Sequence, residues 1–365
     1  MRSHRRYILK KYTAFSQMPN VSKNKINKAG QVIVDYFSPG RKIKDWEQLR
    51  LAVKLVNEWR ACHAYPINTF QSLLRKKLKK YTGSPFASQR LKRLPTIIDK
   101  LSRYSTMNLT QMQDIGGLRA VLDNIEDVYK LEDEYLNKTQ FAHTLDNKDD
   151  YIRNPRSEDG YRSIHLIYKY KNKLNPGYDG LKLELQIRTK LQHIWANAVE
   201  TMGTFLGQAL KSRKGETKWL DFFALVSSAF AYKEKSEPIP RFKCLSKQDT
   251  YEAIVKAEKE LNAINIMIGL SAVPKVDFKG RWFYHLVVLD SLNNTTTVYA
   301  YDRNSYEKAI EDYSHLEEEA LDGKKIEPVL VSAGQYEKLR KAYPSFFLDI
   351  SEFLNEIQKI KRTVK

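Results

Sequence analysis

A chain of 365 residues, 42% of them hydrophobic, is long enough to bury more than one core. Its apolar runs are too short to span a bilayer, its basic start lacks an apolar signal region, and Cys62 and Cys244 alone make neither a disulfide framework nor a zinc site, so a soluble cytoplasmic protein is expected. The net charge of +19 is uneven: residues 1–110 carry 24 of the 62 lysines and arginines but 5 of the 43 acidic residues, which points to a polyanionic partner.

Residues 1–40 are polar and basic, with Pro19, Gly30, Pro39 and Gly40 as punctuation and an arm or short helix over 2–11. From 45 to 64 the pattern turns helical: Trp46, Leu49, Val53, Val56 and Trp59 recur at three- to four-residue spacing. A second helix is predicted over 67–81, and its last turns hold Arg75, Lys76, Lys77, Lys79 and Lys80. Lysines late in a helix suit its dipole. Five cations in six positions exceed that need and form a candidate RNA-binding surface. Gly83, Ser84 and Pro85 break the helix. The next segment, 90–103, has Pro95 at a helix start, with Thr96 and Lys100 on one face. Arg90 and Lys92 lie just ahead, and cations beside a helix N-terminus make a phosphate seat.

Two apolar runs, 115–122 and 181–187, read as buried strands. Asp114 sits at the mouth of the first. Glu184 sits inside the second, where a lone carboxylate is costly, so a cation or a metal is expected beside it. Two carboxylates near Arg119, Arg162 and Arg188 suit a magnesium-bound polyphosphate. Between them fall an amphipathic helix over 125–136, a polar loop over 151–160 and a strand over 163–170 that carries His165. A helix over 190–205 has His193, Asn197, Glu200 and Thr201 on one side, with Ala196, Val199 and Met202 on another. An apolar helix over 219–232 follows, then Glu237-Pro238-Ile239-Pro240 as a linker. Residues 241–365 read as a smaller α+β unit with helices at 247–264, 306–321, 334–343 and 350–360 and strands at 282–289, 295–301 and 328–331. No catalytic constellation stands out there, and a packing or interaction role is expected.

Four segments in this order carry a resemblance: Asp114-Ile115-Gly116-Gly117-Leu118-Arg119, Asp150-Tyr151-Ile152-Arg153-Asn154-Pro155, Gly160-Tyr161-Arg162-Ser163-Ile164-His165 and Leu183-Glu184-Leu185-Gln186-Ile187-Arg188-Thr189. Together they resemble the synthetase domain of the RelA/SpoT alarmone synthetases. The resemblance implies an α+β chain: a basic extension over 1–40, a nucleotidyltransferase-like domain over 41–236 with a mixed sheet flanked by helices, and a regulatory or interaction domain over 241–365. It implies donor ATP on Arg90, Lys92, Thr96 and Lys100, with Arg119 assisting; Thr96 stands where the family has Ser. It places Mg2+ at Asp114 and Glu184, the latter as ligand or base. On the acceptor side it implies Tyr161 stacked on the base, with Arg162, His165 and Gln186 nearby. The implied reaction moves the β,γ-pyrophosphate of ATP to the ribose 3′-hydroxyl of GDP or GTP, making (p)ppGpp and releasing AMP. A toxic branch of the family instead modifies the 3′ end of tRNA or uses adenine nucleotides, under the restraint of extra domains that invite a protein partner. A third possibility is an inert nucleotide- or RNA-binding module, against which the intact Asp114 and Glu184 argue. The family's hydrolase uses a His-Asp pair, and no such dipeptide occurs here, which implies a monofunctional synthetase.

Overall fold

The computed structural model describes residues 17–38, 45–137, 142–205, 217–264, 267, 284–290, 295–302, 305–324, 326–332 and 350–364. The expected arm at 2–11 and helix at 334–343 lie outside them. Three helices open the described chain: α1 (Lys23–Phe37), α2 (Trp46–Ala61) and α3 (Ala64–Leu78). Asp45 starts α2 by accepting the N–H groups of Glu47 and Gln48, at 2.9 and 3.2 Å. Leu49, Val53, Val56 and Trp59 of the expected stripe then face the core, whereas Trp46, in the first turn, is 56% exposed and lies outside it.

β1 (Phe86–Leu91), α4 (Leu94–Arg103), β2 (Gly116–Leu122), α5 (Ile125–Leu136), β3 (Thr144–Asp150), β4 (Ile164–Lys169) and β5 (Lys182–Thr189) follow. The strands form one mixed sheet in the order β1-β2-β5-β4-β3. β2 and β5 run parallel at its centre, and the other neighbours are antiparallel. Alternation along the strands divides the sheet into two unlike faces. One face carries Leu118, Ala120, Leu183, Leu185 and Leu166, which share a core with Ile67, Phe70 and Leu74 of α3 and Leu131 of α5. Gly116 belongs to this face because the strand passes close to its neighbours: a Cβ there would stand 2.6 Å from Leu183 and 3.0 Å from Ile67. The other face carries Arg90, Gly117, Arg119, Glu184, Gln186 and His165, cross-strand neighbours by register.

α6 (Lys190–Phe205) and α7 (Thr217–Lys233) leave the sheet, and α8 (Lys247–Leu261) and α10 (Ser351–Val364) join them. Trp195, Phe222, Phe223, Ile254, Phe353 and Ile357 belong to this second core, so helices on both sides of Glu237–Pro240 share it. A smaller antiparallel sheet, β7 (Thr295–Tyr301), β6 (Tyr284–Asp290) and β8 (Ile326–Ser332), is backed by α9 (Tyr306–Leu321), with Leu286, Val288, Tyr301 and Ala309 buried between them. The described residues form an α+β architecture.

His63 sits at the turn between α2 and α3. Its ring is buried, and Nδ1–H donates to the Trp59 carbonyl at 2.9 Å. Burial pushes the imidazole down to about 4, against the pull of that carbonyl. A histidine whose folded pKa lies below its unfolded value removes stability as pH falls. The loss begins near pH ~6.5 and continues toward pH ~4, with a slope approaching ~1.4 kcal/mol per pH unit. His63→Gln is expected to flatten this slope when urea midpoints are compared between about pH 7 and pH 4.5. Equal slopes in variant and wild type would place the acid sensitivity elsewhere.

Candidate active site

Arg90, Asp114, Arg119, Glu184 and Gln186 line one cavity on the polar face of the sheet. Strand register brings them together. Gly117 pairs with Glu184 on one side and Arg90 on the other, and Arg119 pairs with Gln186. A Cβ at Gly117 would meet Arg90 at 3.7 Å, an ordinary contact, so this glycine leaves the floor low without being sterically required.

Asp114 is the anionic centre. Lys92 Nζ lies 2.7 Å from one carboxylate oxygen and Lys100 Nζ 3.0 Å from the other. Burial works against the charge of Asp114, but the two ammonium groups prevail and hold it well below the usual carboxylate range. Lys92 is delivered by an extension of β1, its N–H bonded to the Ile115 carbonyl at 2.8 Å. Lys100 comes from the second turn of α4, whose first turn holds Pro95. Thr96 lies on that helix too, but its hydroxyl donates to the Arg93 carbonyl at 2.8 Å, so its expected part in donor binding requires that bond to open.

Glu184 has the cation its burial demands. His165 Nδ1 lies 3.0 Å from one oxygen, and Gln186 Nε2 donates to the other at 2.8 Å. His165 Nε2 lies 2.8 Å from the Tyr161 hydroxyl. Burial would discharge the imidazole, but Tyr161 and Glu184 raise its pKa to about 10. The reciprocal effect of His165 and Arg188 outweighs burial and brings Tyr161 down to about 8. Glu184 is likewise lowered, burial opposing and His165 prevailing. The three groups form one hydrogen-bonded row in which negative charge on Tyr161 and Glu184 favours the imidazolium, and the imidazolium favours both anions.

The Tyr161 ring differs from the expected open π-face. The Arg156 guanidinium lies 4.4 Å from its centroid, anchored by Asp159 at 2.6 Å. Asp159 also accepts the Tyr161 N–H at 2.9 Å, which explains why a buried acid precedes the turn. Gly160 in that turn has φ +82°, and a Cβ there would stand 2.8 Å from both Ile239 and Ser227. A base stacking on Tyr161 must use another part of the ring or displace Arg156, a residue the sequence reading did not single out.

Arg162 is not brought to the cavity. Its guanidinium is buried and donates to Ser227 Oγ, the Ile152 carbonyl and the Glu237 carbonyl, at 3.1, 3.1 and 2.7 Å. The structure therefore corrects its expected acceptor-side position: Arg162 fastens the loop at Ile152 to α7 and to the segment that follows. Arg188 faces the site side of β5 but is buried, with Nη2 2.5 Å from His193 Nδ1. Burial and the charge of Arg119 lower its pKa.

The basic run is also elsewhere. α3 covers the apolar face, with Ile67 near Gly116, and the chain after it reaches the far end of β2, where Ser84 N–H donates to Asp123. Arg75, Lys76, Lys79 and Lys80 are exposed there, about 20 Å along the sheet from Asp114 by strand rise. Lys77 is buried and paired with Glu134 at 3.0 Å, so it is a packing residue first.

No cluster of three or more His, Cys, Asp or Glu side chains suited to a metal occurs among the described residues. Two carboxylates do face one cavity, and the charge of Asp114 is felt at Glu184 as repulsion. Such a pair fits a hard divalent cation whose remaining ligands are phosphate oxygens and water.

Residues 89–203 match the family model described as a region found in RelA/SpoT proteins. The chain is 32% identical over 113 residues to GTP pyrophosphokinase YjbM of Bacillus subtilis, covering 30% of this chain and 52% of that protein. It is 31% identical over 147 residues to the GTP pyrophosphokinase of Escherichia coli K12, covering 40% of this chain and 18% of that one. It thus spans about half the length of the first and less than a fifth of the second. Among solved structures it is similar to small alarmone synthetase 1 from Bacillus subtilis bound to its product pppGpp, with a TM-score of 0.39 and 25% identity over 49% of this chain and 94% of that one. The stretch that matches the family model contains Arg90, Lys92, Lys100, Asp114, Arg119, Glu184 and Gln186, the residues that line the cavity and the cations around it.

Proposed function

We propose that the chain is a pyrophosphokinase that transfers the β,γ-pyrophosphate of ATP to the ribose 3′-hydroxyl of GDP or GTP. The observation that carries this reading is Asp114 held between two lysines and beside Glu184 on one open face. The 3′-oxygen attacks the β-phosphorus, the bond from that phosphorus to the α,β-bridging oxygen breaks, AMP leaves with the bridging oxygen, and the hydroxyl proton passes to solvent. Arg90, Lys92, Lys100 and Arg119 surround the place where negative charge must be held through that exchange. The two lysines now neutralise Asp114, and a triphosphate offers them a richer partner. Mg2+ on Asp114 and Glu184 would neutralise phosphate charge when bound. Glu184, kept ionised by His165, is a weak base and a good acceptor or ligand, so it orients the 3′-hydroxyl more than it removes the proton.

In this reading, residues 241–365 adjust the synthetase rather than supply its chemistry, as a regulatory or partner-binding region. The alternative acceptor is the 3′ end of tRNA. Incubating the protein with labelled ATP and GDP, GTP or deacylated tRNA separates the two, and label on tRNA alone would overturn the nucleotide reading. The charge map sharpens the test. Replacing Arg75, Lys76, Lys77, Lys79 and Lys80 by Gln is expected to leave GDP transfer within about twofold, because a mononucleotide does not reach the far end of β2. If tRNA is the acceptor, its labelling should fall steeply, with roughly one unit of salt slope lost per phosphate contact. Loss of GDP transfer in a folded variant would contradict both versions.

A further inference from the structure

Helix α9 sends one carboxylate deep into the synthetase core. Glu317 is 1% exposed, although it stands in the acidic run Glu317-Glu318-Glu319. Its Oε1 accepts the backbone N–H of Leu94 at 3.0 Å, and Oε2 pairs with Arg60 Nη1 at 2.8 Å. The Tyr313 hydroxyl donates to the same carboxylate and accepts from Arg60 Nη2. Arg60, itself 4% exposed, donates Nε–H to the Lys92 carbonyl at 2.9 Å.

These bonds hold both ends of a three-residue segment. Leu94 is the first residue of α4, and its N–H is one of the helix donors without an intrahelical partner. A carboxylate is the strongest acceptor for it. Lys92 carries one of the two ammonium groups on Asp114, and α4 carries the other, Lys100. A shift of the 92–94 segment would therefore move both cations relative to Asp114 and the cavity.

We propose that Glu317 is a positioning residue of the donor site, fixing the 92–94 segment through the Leu94 N–H and Arg60 so that Lys92 and Lys100 meet the triphosphate in place. The proposal rests on the reading of α4 as the ATP-binding helix. It assigns a site role to a region whose sequence shows no catalytic constellation. A buried pair that served only as structural cement would lower stability and weaken donor and acceptor alike. A positioning pair acts on the donor selectively.

Two measurements test this. Glu317→Gln keeps the shape and an acceptor for Leu94, and it removes the charge that holds Arg60. It is expected to raise the KM for ATP and its directly measured Kd about tenfold, with the acceptor KM within about twofold of wild type. In the unmodified protein, linkage requires ATP to slow hydrogen exchange across residues 306–321, and GDP alone to leave it unchanged. An unchanged ATP constant in a folded variant overturns the proposal, as does an equal rise for both substrates or exchange in 306–321 that ignores ATP. If the variant does not fold, the wild-type exchange decides. Failure of GDP and GTP as acceptors would overturn the proposed function but not this inference, which ATP binding still tests; a wild-type protein that binds no ATP overturns both.

Discussion

Replacing Asp114 by Asn is expected to cut pyrophosphate transfer by about 10²- to 10⁴-fold while leaving the fold in place. The carboxylate is the point on which Lys92 and Lys100 converge, and its partner acid Glu184 lies across the same cavity. Asparagine keeps the shape and loses the charge. It can neither balance the two ammonium groups nor serve as a charged ligand to a divalent cation. The fold should tolerate the change because Asp114 precedes β2 at the cavity rather than sitting in the apolar layer, and the freed lysines can turn toward water. Initial rates with labelled ATP, taken beside melting curves, check this. Near-normal turnover in a folded variant would remove Asp114 from the site. Asp114 is held ionised well below the usual carboxylate range, so any loss of rate in mild acid should not arise from it.

Breaking the Arg60–Glu317 pair is expected to produce the largest loss of stability. Arg60→Leu leaves the Glu317 carboxylate at 1% exposure with the Leu94 N–H and the Tyr313 hydroxyl to balance it, and no cation. An uncompensated buried charge typically costs about 3–5 kcal/mol. Removing both charges, as Arg60→Leu with Glu317→Leu, should cost less than Arg60→Leu alone, because no lone ion is left in the interior. Urea unfolding of the single and double variants measures the difference. A single variant that loses less than about 1 kcal/mol would mean that water reaches Glu317 in solution.

The elements with clean periodicity were legible from sequence. Residues 125–136 and 190–205 hold helices with the expected bounds, and the two central strands fall within about a residue of their predicted starts. Three elements were not. Thr144–Asp150 is an edge strand with Leu145 as its only aliphatic residue; pairing with β4 makes it a strand, and no local pattern announces that. Phe86–Leu91 lies between a Ser-Pro break and a helix start and gains strand form by pairing with β2. Lys23–Phe37 hides Ile26, Ile33 and Val34 among lysines and asparagines, and Gly30, read as punctuation, lies in mid-helix.

The site divides in the same way. Arg119, Glu184 and Gln186 lie on two adjacent strands and Asp114 just ahead of the first, so motif and register agree. Arg90 and Lys92 arrive with β1. Arg162 looked equivalent to its neighbours in the motif, yet its burial beneath α7 depends on residues 65 to 75 positions later. Glu317 was less visible still. The signal was its helical face, shared with Ala309 and Tyr313, which sets it apart from Glu318 and Glu319. What that face would meet could not be read locally.

The bond from Glu317 to Leu94 spans 223 positions of chain, and chains are made in order. At translation rates of roughly 5–20 residues per second, the first N–H of α4 emerges about 10–45 s before the carboxylate that will accept it. During that interval water must serve the Leu94 N–H, and Arg60 waits for its carboxylate. A ribosome that stalls between Thr189 and Glu317 therefore leaves a chain with all four sequence motifs already made and the first N–H of α4 still without its carboxylate.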